Sequence, residues 1–286
     1  MIRSLVALGA LLLLHVSLGA EPRRLAFERD LTVWVASLDG TGAQKIAHGV
    51  DPDIAPDAMH LAFNTISEKP GRHIAVADLA TKNVTVFGKI IPSDNCYRPL
   101  WSPDGKQILF NIFVDADWQI GLIDADGLEF RYLRRGATKS GPHYSACWSP
   151  DGRSIYAHDL QTLLQLDLEG TELNKWDLRP LFPAGDLTSE SRLAVSPDGN
   201  TLLLEVDMHE EMNPAIWTLD LGTGKATRLT PKGLFACRGC WLGREEILFV
   251  SRTANAKEPV FLYRMSRQGD HRKQFLRNAD NPSVSR

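Results

Sequence analysis

The chain has 286 residues, of which 43% are apolar and 23% are charged, and its 32 Lys and Arg residues nearly balance 35 Asp and Glu residues. This ordinary globular composition excludes a collagen-like or intrinsically disordered protein, and it lacks the basic excess of a protein that coats nucleic acid. Length alone allows one or two domains, because a domain usually has about 100 to 200 residues although all-β domains can be longer. Internal repetition must therefore decide the domain count.

The first twenty residues have the layout of a secretory signal peptide. A short positive start at residues 1–3 precedes an apolar run at 5–18, and small residues follow at Gly19 and Ala20. A membrane anchor is the alternative, but the run is shorter than the roughly 20 apolar residues that a bilayer crossing needs. We predict export to the periplasm or outside the cell, cleavage near Gly19/Ala20, and no stable membrane insertion afterwards.

A sequence repeat then runs through the rest of the chain. RPLWSPDGKQILF at 98–110 recurs as SACWSPDGRSIYA at 145–157 and as SRLAVSPDGNTLLL at 191–204, and weaker copies begin at 51 and 237. The turn proline lies at positions 56, 103, 150 and 197, with Gly243 in the fifth copy, so the steps are 47, 47, 47 and 46 residues. A period of about 40 to 50 residues is typical of a propeller.

Each repeat predicts four short strands. Ser-Pro-Asp-Gly has the chemistry of a tight turn, with Pro pre-setting one backbone angle and Gly accepting another. The apolar residues on either side alternate with polar ones at the period of a strand. An apolar strand that ends in an acidic or polar turn also recurs six times, as in IGLIDADG and LLQLDLEG. Four strands in about 46 residues make one propeller blade.

The chain ends complete the first blade. NPSVSR at 281–286 followed by EPRRLAF at 21–27 aligns without a gap on RPLWSPDGKQILF. We therefore predict an all-β, six-bladed β-propeller that is closed by joining the N- and C-terminal strands in one blade, and that occupies residues 21–286 as a single domain. The predicted blades are 21–50 with 281–286, then 51–97, 98–144, 145–190, 191–236 and 237–280.

The W-S-P-D-G turns at 101–105 and 148–152, with their I-x-x-x-D partner strand, resemble the propeller repeat of the TolB family over nearly all of the mature chain. The resemblance implies a periplasmic interaction platform that contacts envelope proteins, such as the peptidoglycan-associated lipoprotein, through the mouth of its channel. We expect no α/β domain ahead of the propeller, in contrast to TolB itself. Similar repeats occur in the propellers of prolyl-oligopeptidase-like enzymes and oligogalacturonate lyases, so the motif implies a fold rather than an activity.

One position in each repeat is predicted to line a channel mouth, because the inner strands of a propeller converge on its axis. This position lies three residues before Trp101 and its equivalents, and in ring order it holds Asn281, Asp51, Arg98, Ser145, Arg192 and Arg238. Three arginines in a concave site could hold carboxylates or an acidic peptide by forked hydrogen bonds. The alternative is that they satisfy neighbouring loop carbonyls and Asp51.

The richest cluster of possible metal ligands is Asp207, His209, Glu210 and Glu211. Oxygen ligands could bind a divalent cation there, but a solvated acidic loop is the alternative. HEEMN is not a metalloprotease motif, because Asn213 stands where the second histidine would be. We expect no metal, no cofactor and no catalytic residue, and the chain has no Gly-X-Ser-X-Gly elbow.

Export would permit disulfides, so the sequence leaves redox chemistry or a disulfide open for Cys96, Cys147, Cys237 and Cys240, which we expect to gather near one channel entrance. On an extended strand, Cys237 and Cys240 would be about 10 Å apart, whereas a disulfide needs Cα atoms within about 7 Å. They can pair only if Cys237 precedes the strand. Buried thiols and a cysteine-ligated zinc are the alternatives.

These features favour a non-enzymatic scaffold that binds a protein or peptide of the cell envelope through the channel mouth and loops. An enzyme acting on an oligosaccharide or uronate is the alternative, as is a module that captures a small ligand. An enzyme needs a convergent acid, base and stabilising group, and no general base here has motif support. Trp118 and Trp217 are the aromatic candidates for a sugar platform. We expect a monomer that does not bind nucleic acid.

Overall fold

The computed structural model describes residues 23–66, 71–90, 95–114, 117–133, 143–182, 184–253 and 258–286. The predicted signal peptide lies outside the described residues. The described residues form 24 strands and one 3₁₀ turn at Arg179–Leu181, and the fold is an all-β β-propeller. They contain no helix that has the length and apolar character needed to cross a membrane.

The strand bounds follow in chain order: β1 Arg24–Arg29, β2 Thr32–Ser37, β3 Gln44–Ile54, β4 His60–Ile66, β5 Arg72–Asp78, β6 Val84–Val86, β7 Cys96–Trp101, β8 Gln107–Val114, β9 Asp117–Asp124, β10 Phe130–Tyr132, β11 Tyr144–Trp148, β12 Ser154–His158, β13 Thr162–Asp167, β14 Glu172–Asp177, β15 Gly185–Asp186, β16 Leu193–Val195, β17 Thr201–Met208, β18 Asn213–Asp220, β19 Ala226–Arg228, β20 Ala236–Trp241, β21 Glu246–Ser251, β22 Phe261–Ser266, β23 Lys273–Arg277 and β24 Asp280–Val284.

The described strands form five antiparallel sheets. Three of them are four-stranded meanders, β7 to β10, β11 to β14 and β20 to β23, and in a fourth sheet β15 and β16 both pair with β17. The fifth sheet has seven strands in the order β24-β1-β2-β3-β4-β5-β6. Six blades were predicted, and the described residues form five sheets. Strand β3 is continuous: residues 44–48 pair with β2, and residues 49–54 pair with β4.

The Ser-Pro-Asp-Gly segments form the predicted tight turns. In the first, the Gly105 amide donates to the Ser102 carbonyl at 2.9 Å, and the Ser102 hydroxyl donates to the Asp104 carboxylate at 2.7 Å. Gly105 has φ 70°, a conformation that costs other residues free energy. The turns at 149–152 and 196–199 repeat these contacts. Each turn aspartate also accepts from the backbone N–H two residues later, so these aspartates stabilise the turns.

The two chain ends meet in one sheet, as their alignment on the repeat predicts. Strand β24 pairs antiparallel with β1, with Leu25 opposite Val284 and Ala26 opposite Ser283. Beyond the ladder, the Arg24 amide donates to the Ser285 hydroxyl at 2.8 Å. This pairing covers a sheet edge that would otherwise expose its hydrogen-bonding groups.

Apolar side chains of neighbouring repeats pack against each other to form the core. One buried cluster joins Ala62 and Ile74 of one repeat to Ile108 and Phe110 of the next. The motif tryptophans reinforce this packing, because the Trp148 indole N–H donates to the Leu100 carbonyl of the preceding repeat at 3.0 Å. The Trp241 indole makes the same contact with the Ala194 carbonyl. The repeats are therefore joined by both apolar packing and hydrogen bonds, and their inner strands surround a central cavity.

Candidate functional site

The residues predicted from the repeat to line a channel mouth share one cavity of about 800 Å³. We call it the ring cavity, and its wall includes Asn281, Asp51, Arg98, Ser145, Arg192 and Arg238. The inner strands of the repeats bring these residues together from distant parts of the chain. All six predicted binding residues are therefore neighbours in space.

A bulge in the inner strands presents most of these residues. Asp51, Arg98, Ser145, Arg238 and Asn281 all have φ between 49° and 54°. The register of each ladder shifts at the same place, as it does between Tyr97 and Leu100 on either side of Arg98. A left-handed conformation costs a non-glycine residue about 1 kcal/mol or more. The fold thus accepts the same local strain five times around the ring cavity.

A polar residue on the second strand of a repeat holds the bulge of the next repeat. The Asn64 amide accepts from the Arg98 N–H at 2.9 Å and donates to the Cys96 carbonyl at 2.9 Å. The Glu205 carboxylate accepts from the Arg238 N–H at 2.8 Å. We call this the clamp position, and it holds Glu28, Asn64, Asn111, His158 and Glu205, with Val250 in the last repeat.

The clamp position was not predicted, although the sequence contains a signal for it. Asn64, Asn111, His158 and Glu205 each lie thirteen residues after the ring residue of their own repeat and directly after a buried apolar run. A polar residue in that place predicts a buried hydrogen-bonding role. The clamp partner belongs to the next repeat, so its identity follows only once the blades are assembled.

Two of the three predicted binding arginines form ion pairs. Arg192 donates to the Asp51 carboxylate at 2.9 Å and to the Asn281 side chain at 2.5 Å, and Arg238 forms an ion pair with Asp280. Among the described residues, the wall of the ring cavity carries five arginines and six carboxylates. The wall of the cavity therefore carries both charges. Arg192 fits the alternative given above, in which the arginines pair with Asp51 and neighbouring groups instead of a ligand.

Arg98 differs from the other two arginines. Its guanidinium donates to the Ser145 hydroxyl at 2.5 Å and to the Glu190 backbone carbonyl at 2.5 Å, both of which are neutral acceptors. Burial, reinforced by the nearby charge of Arg192, lowers the pKa of Arg98 to about 9. The group still carries its proton at neutral pH, so it contributes a positive charge that no described carboxylate contacts directly.

Two partly buried carboxyl groups also line the ring cavity. Burial raises the pKa of both Glu28 and Glu205 above the usual value of a glutamate. Glu28 accepts a hydrogen bond from the Asn281 side chain at 2.6 Å, and Glu205 accepts from the backbone of the next repeat. A raised pKa in a cavity marks a candidate general acid, but these hydrogen bonds give both carboxyl groups a structural role.

A second cavity of about 600 Å³ lies on the side of the Ser-Pro-Asp-Gly turns. We call it the turn cavity; its wall includes Pro56, Pro150, Pro197, Trp101, Trp148 and Trp241. Arg98, Ser145 and Arg192 line both cavities, so these three residues form a waist between them. Asp53, which is partly buried, also lines the turn cavity, and its carboxylate accepts from the Trp101 backbone N–H at 2.7 Å and from the Ser283 hydroxyl at 2.6 Å.

Aromatic side chains cover one side of the ring cavity. The ring of Trp118 lies 5.1 Å from that of Tyr97 and 6.3 Å from that of Tyr144, measured between centroids. The Arg72 guanidinium stacks 4.9 Å from the Tyr97 centroid. Trp217, the other candidate for a sugar platform, packs against Phe182 and lines neither cavity. We call Tyr97, Trp118 and Tyr144 the aromatic wall.

The structure does not bring the weak metal-ligand candidates together. Arg228 binds both carboxylate oxygens of Glu211, at 2.5 Å and 2.8 Å, and His209 contacts Asp186 at 2.8 Å. Asp207 lines the ring cavity instead, and Glu210 is exposed. Within the described ranges, no group of three or more His, Cys, Asp or Glu side chains has a geometry that could hold a metal ion.

The four cysteines, all within the described residues, form no disulfide with one another. They do not gather at one entrance: Cys237 lines the ring cavity, Cys147 and Cys240 line the turn cavity, and Cys96 lies in a core cluster. Cys237 lies within β20 rather than before it, so the stated condition for pairing with Cys240 is not met. Burial raises the pKa of Cys147 and of Cys240 to about 12.

No family model and no curated protein matches the sequence. Among solved structures, the chain is similar to TolB from Acinetobacter baumannii, with a TM-score of 0.70 and 19% identity over 93% of this chain and 67% of that one. A putative TolB from Agrobacterium tumefaciens gives 0.66 and 18%, over 91% and 90% of the two chains. A chain of a nidogen/laminin complex gives 0.67 and 14%, over 92% and 98%. The chain therefore has a TolB-like β-propeller fold, and identities this low show the fold alone.

Proposed function

We propose that this chain is an exported scaffold of the cell envelope, which has no enzymatic activity and binds a protein or peptide through the ring cavity and the loops around it. In this proposal residues 1–20 are a signal peptide cleaved near Gly19/Ala20, and residues 21–286 form one propeller of six blades. The protein acts as a monomer and needs neither a cofactor nor nucleic acid.

The pairing of β3 supports the count of six blades. Its first half continues the sheet of β24, β1 and β2, which makes four strands, and its second half begins the sheet of β4, β5 and β6, which makes four more. The register shifts between Val50 and Asp53, at the bulge that β7, β11, β20 and β24 also carry. We therefore divide the seven-stranded sheet into two blades that share one continuous strand.

The observation that carries the binding role is the composition of the ring cavity. Residues from every copy of the repeat line one space of about 800 Å³, and they include arginines, carboxylates and the aromatic wall. A peptide presents N–H donors, carbonyl acceptors and side chains at close intervals, so a wall with both charges and aromatic surface is suited to it. Tyr and Trp are also the residues that most often anchor a bound partner.

The alternative of an enzyme acting on an oligosaccharide or uronate has less support. Its best candidates for acid or base are Glu28 and Glu205, because burial raises the pKa of both. However, both occupy the clamp position, where the equivalent residues Asn64 and Asn111 make the same kind of interblade hydrogen bond without a titratable group. The position therefore has a structural purpose that needs no chemistry.

The proposal can be tested by crosslinking and pull-down from an envelope extract. We expect the intact protein to capture a specific envelope protein, and the double variant Trp118→Ala with Tyr144→Ala to lose it, because two of the three side chains of the aromatic wall are removed. The matched control is Leu128→Ala with Leu173→Ala, which removes two exposed apolar side chains, 59% and 55% accessible, that line neither cavity.

The control variant should capture the same protein as the intact chain, and all three proteins should melt cooperatively. Capture that is equal in the wall variant and the control would contradict binding at the ring cavity. Failure of the intact protein to capture any envelope protein would contradict the scaffold role and favour the enzyme or the small-ligand module.

A further inference from the structure

The waist of the ring cavity contains a positive charge whose role the propeller itself does not explain. Arg98 lines both cavities, and its two hydrogen bonds to described residues go to the Ser145 hydroxyl and the Glu190 carbonyl. A guanidinium has five N–H donors. Three donors on a group that is charged at neutral pH are therefore left for a molecule that enters the cavity.

The two other ring arginines, Arg192 and Arg238, have the ion-pair partners that Arg98 lacks. Arg192 reaches Asp51 and Asn281, and Arg238 reaches Asp280. Both of these arginines have a carboxylate partner, and Arg98 has only neutral ones among the described residues. Arg98 is partly buried, and a partly desolvated charge without an ion-pair partner is stabilised when a carboxylate binds to it.

Local contacts fix the place of Arg98 at the waist. Its φ is 54°, and the Asn64 side chain holds this conformation by accepting from the Arg98 N–H. Four other ring residues share the conformation, so it positions the side chain and does not by itself mark a ligand site. The Ser145 hydroxyl, which accepts from Arg98, can still donate its own proton to a ligand. Guanidinium and hydroxyl together therefore offer several converging donors.

We propose that the waist is a carboxylate-binding site, in which Arg98 and Ser145 hold the carboxylate of a bound peptide, supplied either by its chain end or by an acidic side chain. This inference rests on the proposed function, because it names the chemistry that the scaffold recognises. Arg192 and Arg238 take no part in holding the carboxylate, since both are already paired.

A peptide fits this cavity better than a polyuronate, which is the other source of carboxylates considered for this chain. A polyuronate brings a negative charge on every sugar, and it would meet Glu28, Glu205, Asp207 and Asp280 on the wall. A peptide needs only one carboxylate at Arg98, and its backbone N–H groups can donate to those acidic side chains. The aromatic wall lies in the same cavity and can pack against the peptide's side chains.

The test uses affinity selection with pooled synthetic heptapeptides. One pool has free C-terminal carboxylates, a second is amidated, and a third is amidated but contains one internal Asp or Glu; an oligogalacturonate is a separate probe. The proteins are the full chain, Arg98→Gln and a matched control, Arg131→Gln. Arg131 also donates to a backbone carbonyl, that of Leu168, but lines neither cavity. The most enriched peptide is then measured by fluorescence anisotropy.

We expect the full chain and Arg131→Gln to enrich peptides from a carboxylate-bearing pool, and Arg98→Gln to bind the best peptide about 30-fold more weakly or worse, because its buried charge partner is lost. The first and third pools separate a chain end from an acidic side chain. All variants must keep the melting temperature of a folded propeller.

Three results would overturn the inference. They are enrichment that does not depend on a carboxylate, equal affinity of Arg98→Gln and Arg131→Gln for the best peptide, and binding of the oligogalacturonate alone.

Failure of the proposed function gives a different result. If the envelope pull-down captures nothing while the carboxylate pool binds through Arg98, the scaffold role is wrong and the carboxylate site is supported. If the pull-down succeeds but Arg98→Gln behaves like the control, the site is wrong and the scaffold stands.

Discussion

Replacing His158 by Asn should remove a large part of the acid sensitivity of the fold. His158 is fully buried at the clamp position, where two other repeats use Asn64 and Asn111. Its Nδ1 accepts from the Leu160 N–H at 3.2 Å, so the ring proton lies on Nε2, which faces the Ser191 carbonyl at 3.3 Å. Protonation would place a second hydrogen against the Leu160 donor, so the folded state strongly favours the neutral ring.

The magnitude follows from the pKa. Burial, with repulsion from the charge of Arg98, lowers the pKa of His158 from 6.5 to about 4. The unfolded chain therefore takes up a proton below pH 6.5 that the folded protein does not bind until about pH 4. The stability contributed by the neutral ring is complete above pH 6.5 and is lost as the pH falls toward 4. At about 1.4 kcal/mol for each unit, the loss is about 3 kcal/mol.

The assay is urea unfolding of the wild type, His158→Asn and His158→Gln at intervals from pH 7.5 to pH 4. Other groups lower the stability of all three proteins in acid, so the measured quantity is the difference between wild type and variant. We expect that difference to move by about 3 kcal/mol in favour of the variants as the pH falls, whatever their stability at pH 7.5. Parallel pH profiles for the wild type and both variants would refute the reasoning.

Three further predictions follow from the same contacts. Deleting residues 281–286 should lower the melting temperature by about 10 °C or more, because it removes the strand that pairs with β1; an unchanged value in a thermal melt would contradict closure by the chain ends. Arg228 lowers the pKa of Glu211 to about 2, so Glu211→Gln should be less stable at pH 7, and the deficit should shrink as the pH falls from 4.5 to 2; a constant deficit in thermal melts would contradict the ion pair. Cys147 and Cys240, whose pKa burial raises to about 12, should react slowly with iodoacetamide in the native protein, and titration after denaturation should count four thiols rather than fewer.

The sequence could predict the ring residues because they depend on the repeat alone. Once the turn proline recurs every 47 residues, the residue three places before Trp101 must have equivalents that face the same axis. The pairing of the chain ends follows for the same reason, since NPSVSR and EPRRLAF complete one copy of the motif. Predictions of this kind need only the alignment of one repeat on another.

The partners of those residues could not be predicted in the same way, because they come from outside the aligned positions. Asp280 immediately precedes the ring position of its repeat, and Arg72 reaches Asp51 from the third strand of the same repeat. The bulge is equally hidden, since arginine and serine give no sign of a positive φ. The cavity that a cysteine lines depends on its place relative to the bulge: Cys237 precedes the register shift of β20 and lines the ring cavity, whereas Cys240 follows it and lines the turn cavity.

The closing strand explains why only one of the three predicted arginines is left for a ligand. At most junctions a polar clamp residue holds the next bulge, but the last repeat has Val250 at this position and can offer no hydrogen bond. The backbone N–H of Asn281 donates instead to the carboxylate of Asp280. Arg238 forms an ion pair with that same carboxylate, and Arg192 donates to the Asn281 side chain. Two arginines therefore hold β24 in place. Arg98 lies at a junction that already has its clamp in Asn64, so its charge is not needed for closure.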